Sequence, residues 1–197
     1  MKYHLLVFLC CFVTIALSAQ NISIGMRDNQ YANIQYVSKL GLLAEIENSI
    51  FSTKIKHQHI RGTIGYKHDF KHLTGDIRAY YGTAYDNDYD AYGVKILAKK
   101  SFLQKWGAEL ALNPHNDSDY GYTTCYGVSL HRYIFKEIAV ELTSSNIPEY
   151  RETVNRVKAG LIFNSGNLRV RPQISIPTEG HMKNIRVLFS FDYQFNK

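Results

Sequence analysis

Apolar and polar residues alternate along most of this chain with a period of two, the spacing of a β-strand whose faces meet different surroundings. The last stretch shows it without interruption. Ile185, Val187, Phe189, Phe191, Tyr193 and Phe195 share one face, and Arg186, Ser190, Asp192 and Gln194 share the other. Working back from it, the same pattern predicts strands near 168–176, 154–164, 137–144, 120–133, 106–113, 90–102, 73–85, 57–70 and 40–50, with the last strand spanning 183–196. Residues 21–38 read as a short hairpin turning at Asp28-Asn29-Gln30 and raise the count from ten strands to twelve. As one continuous strand they would make eleven, an odd number for a barrel that closes up-and-down.

The breaks between strands alternate in kind. Short ones fall at 71–72, 103–105, 135–136 and 165–166, and more polar or longer ones at 86–90, 113–120, 144–155 and 177–183. Alternating short and long connections thread an all-β, antiparallel up-and-down sheet, here a closed barrel of 12 strands with 10 as the alternative. Pro172 is out of place in a sheet without edges, and a local bulge is the expected remedy.

Sorted by parity over the core of each strand, one face carries no charge. The opposite face carries ten basic and seven acidic residues. An apolar face can line the core of a soluble barrel or turn outward to lipid, and alternation alone does not choose. The aromatic residues favour lipid: Phe70, Phe102, Trp106, Phe163 and Phe195 sit on the apolar face beside the short breaks, where an interfacial girdle belongs. Tyr85, Tyr120 and Tyr122 mark the other ends of their strands. Small residues are interleaved with the charged ones, as in "GTIGYKHD" and "YGVSLHRY", leaving room for long side chains inside a cylinder.

The first residues read as an export signal, with Lys2, an apolar run from Leu5 to Leu17, and small residues at Ser18 and Ala19. The expected organisation is a signal peptide over 1–19 and one barrel domain over 20–197. Cys10 and Cys11 lie within the apolar run and leave with it, so Cys125 stands alone and no disulfide can form. An exported chain without disulfides needs a closed sheet or a strong core. Its sequence pI near 9.1 suits an anionic solute or acidic lipid, and export argues against nucleic acid.

With these features together, the chain resembles the bacterial outer-membrane β-barrel class, in the style of small porin-like barrels of gut-type Gram-negative bacteria, over the whole of 20–197. Its final strand resembles the C-terminal aromatic signal read by the barrel-assembly machinery, with the departure that Asn196 and Lys197 follow Phe195. The resemblance implies residence in the outer membrane, contact with its lipid, and passage through that machinery.

The inward charges then line a lumen. Lys158, Arg169, Arg171 and Arg186 fall on neighbouring strands and form the densest basic cluster, with Asp192 near and Glu45, Glu47 or Glu141 able to reach across. Arg61, Arg78, Lys95, Glu109 and Glu141 are further lumen charges. Two readings follow: a lumen closed by mutually paired charges, or a narrow channel whose basic excess favours small anions. The corresponding functions are a porin-like channel with mild anion preference, and a non-conducting barrel serving as scaffold, adhesin or accessory subunit. A secreted soluble β-barrel is the remaining alternative.

Other motifs carry less. His57 and His59 have a metal-like spacing but no partner at a fixed distance. Asp86, Asp88 and Asp90 start like an EF-hand loop, yet Ala91 and Leu97 stand where its glycine and glutamate belong. Cys125 reads as a small filler. Neither an enzyme active site nor a cofactor is implied.

Overall fold

The computed structural model describes residues 19–50, 57–119, 121–146, 155–178 and 185–195. Most of the expected signal segment and Tyr120 lie outside them. Twelve strands follow one another: β1 (Ala19–Arg27), β2 (Tyr31–Ser38), β3 (Leu42–Ser49), β4 (His59–Phe70), β5 (Leu73–Ala84) and β6 (Asp90–Phe102). The second half comprises β7 (Trp106–Asp117), β8 (Gly121–Tyr133), β9 (Ile138–Ser145), β10 (Arg156–Ser165), β11 (Leu168–Pro177) and β12 (Arg186–Gln194). Each pairs antiparallel with its chain neighbours. β1 pairs with β12, from Ser23 opposite Gln194 to Met26 opposite Phe191, and closes the barrel.

The hairpin at 21–38 is therefore real and makes the count twelve. Its turn places Asp28 and Asn29 at φ of 56° and 59°, the left-handed pair of a tight hairpin that Asp and Asn tolerate best. Five short turns, at 39–41, 71–72, 103–105, 134–137 and 166–167, share one end of the barrel with the start of β1 and the end of β12. In outer-membrane barrels the short turns face the periplasm.

Two prolines correct the reading from sequence. β7 runs through Pro114 to Asp117, so 113–120 is no loop and the turn shrinks to 118–120. Opposite Pro114, pairing with β6 lapses at Val94 and Lys95 and resumes in the same register. Pro172 is handled in the same way: β10 and β11 pair from Arg156 to Gly160 and again from Phe163, without a shift. No bulge is needed. A proline lacks only the N–H aimed at one neighbour, so one side of the strand loses a pair while the other keeps its ladder.

Burial inverts that of a soluble barrel. Ile34, Ile46, Ile64, Ile77, Leu142, Ile174 and Val187 are exposed on the outside, while Glu47, Asp76, Glu141, Arg156 and Ser175 are buried within. Water would not tolerate such an exterior. A closed sheet satisfies every strand's backbone and presents a predominantly apolar band outward, with Lys100 and Arg132 confined to the short-turn end, which makes lipid its solvent. At the short-turn end Phe102 is opposite Trp106 across its turn, Arg132 lies 5.3 Å over the Trp106 ring, and Phe70, Phe163 and Phe195 are exposed. Tyr85 and Tyr122 are exposed at the outer end.

Candidate functional site

Alternate residues of every strand project inward, and the lumen they line holds a cavity of about 1190 Å³. Room for long side chains comes from small residues on facing strands. A Cβ on Gly107 would run into the His131 ring, and one on Gly65 would meet the Ile77 carbonyl and the Arg78 side chain.

The inward carboxylates are gathered into three groups. Glu47 accepts from Arg27 at 3.1 Å and from Arg61 at 2.5 Å. Arg78 bridges Asp76 at 2.5 Å and Glu45 at 2.9 Å, and Gln35 donates to Glu45 as well. Glu141 accepts from Arg171 Nη2 at 2.5 Å and Nε at 3.2 Å, one edge of the guanidinium, from Ser129 at 2.7 Å and from Gln173 at 2.9 Å. Buried carboxylates are stable only with this many donors. Lys99 and Glu109 form a more exposed pair at 2.9 Å.

Cations remain after these acids are matched. Along the cavity stand nine basic residues, Arg27, Lys39, Lys67, Arg78, Lys95, Lys99, Lys158, Arg169 and Arg171, against five acidic ones, Asp28, Asp69, Asp76, Glu109 and Asp192. Among the described residues no carboxylate lies within 4.0 Å of Lys95 or Arg169. Arg169 is directly opposite Asp192 in the sheet, yet the two do not pair, and its Nε is buried without an acceptor.

The expected basic cluster divides by level. Arg169 and Arg171 lie near the short turn at 166–167, opposite Asp192 and Ser190. Lys158 and Arg186 both flank Ser175 toward the outer end, and Lys158 Nζ reaches Asp28 at 3.9 Å. Arg186 is inward but away from the cavity, as are Arg61 and Glu141, whereas Arg78, Lys95 and Glu109 line it. Arg27 and Asp28 were missed from sequence as lumen residues. Parity would have found Arg27, which shares its face with Ser23 and Gly25, once the first hairpin was placed.

The minor motifs are resolved by contacts distant in sequence. His57 stacks on Tyr89 with centroids 4.1 Å apart, and its Nε2 meets Asp119 Oδ2 at 2.7 Å, tying three outer connections together. Among the described residues no group of three metal-ligating side chains converges. Cys125 is fully buried, 3.8 Å from His115 Nδ1, and neither residue reaches the cavity.

No protein-family model matches the chain, and no curated protein matches it in sequence. Its fold does match solved structures. The KdgM porin in complex with disordered oligogalacturonate aligns with a TM-score of 0.63 and 8% identity, over 89% of this chain and 98% of that one. The KdgM porin without that ligand aligns at 0.61 and 9%, with the same coverage. The NanC porin aligns at 0.54 and 9%, over 90% of this chain and 99% of that one. The likeness is one of fold. Together with the predominantly apolar exterior, it makes the chain a closed antiparallel β-barrel whose fold is like that of these porins.

Proposed function

We propose that this barrel is a small solute channel of the outer membrane with a mild preference for anions. The supporting observation is the cavity of about 1190 Å³, whose inward acids are largely neutralised by partners while Lys95 and Arg169 have no carboxylate partner among the described residues. Fixed charge facing the path of an ion sets which sign enters. The neighbour bound to oligogalacturonate has a polyanion as its ligand, and small anionic solutes are the matching class here.

Reversal potentials across planar bilayers under a salt gradient test the reading. Chloride should permeate better than potassium, and changing Lys95 and Arg169 together to Glu should reduce or invert the preference. These two serve better than Arg171, whose replacement would also strip Glu141 of its partner. A conducting wild type whose selectivity ignores the double change would sink the proposal. Absence of any conductance would favour the second reading, a non-conducting scaffold, which the Arg27-Glu47-Arg61 and Glu45-Arg78-Asp76 networks inside the wall support.

A further inference from the structure

Charge is distributed unequally between the two ends of the barrel. By sequence the outer connections hold seven acidic residues, Asp28, Asp86, Asp88, Asp119, Glu149, Glu152 and Glu179, against four basic ones, Lys54, Lys56, Arg151 and Lys183. The periplasmic turns hold four lysines against one acid, Glu137, and four of the five share one composition: a lysine beside a large exposed apolar residue. Leu40 follows Lys39, a pair that also borders the mouth of the cavity, Phe70 precedes Lys71, Leu103 lies two residues before Lys105, and Phe135 precedes Lys136. Leu40 and Leu103 are 78% and 80% exposed, so these side chains have no place in the fold itself. None of the four lysines makes an ion pair with a described residue. Only the Gly166-Asn167 turn lacks the pair.

We propose that this rim binds the anionic phospholipid head groups of the periplasmic leaflet. The four turns continue the lipid-facing surface just beyond Phe70, Phe102 and Trp106. An apolar residue there enters the acyl boundary, and the neighbouring lysine extends its stem along that surface to place its ammonium at phosphate level. A basic residue near an anionic membrane surface gains about fivefold in affinity, an effect that salt screens. The complement is a lipid of net negative charge rather than a zwitterionic one. This inference requires the barrel and its orientation, and it is independent of whether the lumen conducts.

The test uses the mature protein folded into mixed phosphatidylcholine and phosphatidylglycerol vesicles, carried into nanodiscs, with retained lipids counted by native mass spectrometry. The wild type should retain phosphatidylglycerol above its bulk share, and added salt should diminish the excess. Replacing Lys39, Lys71, Lys105 and Lys136 by Gln should abolish it, with a drop of about fivefold at each altered turn. Heat-modified migration on gels checks that this variant is folded. Asp86→Asn with Asp88→Asn also removes charges, but at the outer end, and should leave the excess unchanged. An unenriched wild type, as expected if the rim instead docks an acidic periplasmic protein, overturns the proposal. So does a four-lysine variant that keeps the excess, or an outer-end variant that shifts it equally.

Discussion

Truncating Glu141 to Ala removes the acceptor of four hydrogen bonds at once. Its carboxylate is only 2% exposed, whereas Arg171 is 30% exposed toward the cavity. Breaking a buried ion pair from one side costs roughly 3–5 kcal/mol, because the surviving charge is stranded. Water in the cavity can partly solvate Arg171, so about 3 kcal/mol is expected. Removing Arg171 as well relieves the stranded charge, and the double variant should lose less than the two single losses together. The resulting coupling should be about 2 kcal/mol. Urea titration of the barrel in lipid vesicles measures each value, with Trp106, the single tryptophan of the chain, reporting unfolding from the periplasmic girdle. A coupling below about 0.5 kcal/mol, the scatter between independent sites, would refute the claim that Glu141 and Arg171 act as a pair.

Val187→Arg places a charge on the lipid face and should cost roughly 2–4 kcal/mol near the bilayer midplane, seen as loss of the heat-modifiable band, while Asn33→Arg, on the cavity wall, should still assemble; the reverse ranking would mean the apolar face is an interior. Gln104 occupies the left-handed region at φ 57°, and Gln104→Gly should raise unfolding stability by about 1 kcal/mol by relieving the Cβ clash. His57→Ala removes the Asp119 contact and the Tyr89 ring stack, so limited proteolysis should cut the outer connections faster with the barrel intact. Unchanged cleavage would deny that His57 ties them.

Much of the architecture was legible without coordinates because a strand's face is a local property. The stripe from Ile185 to Phe195, the girdle positions Phe102 and Trp106, and the Asp28-Asn29 turn each declare themselves within a few residues. Pro114 misled because its effect depends on which neighbour the missing N–H would have faced. No local rule states that.

The sequence by itself determined which residues face lipid, which face the lumen, and that the lumen holds more base than acid. Only the tertiary structure decided which charges meet. Glu141 and Arg171 are 30 residues apart and His57 and Asp119 are 62, so no spacing along the chain relates them. Their meeting depends on the register between strands and on the curvature of the closed sheet, which turn their side chains toward one another. The registers of β9 to β12 put Lys158 and Arg186 level with Ser175, away from Arg169 and Arg171, and put Glu141 level with Gln173, within reach of Arg171. Arg169 stands directly opposite Asp192 yet does not pair with it, because register sets the level of a side chain and alternation its direction, while the packing of the whole lumen sets which charges meet.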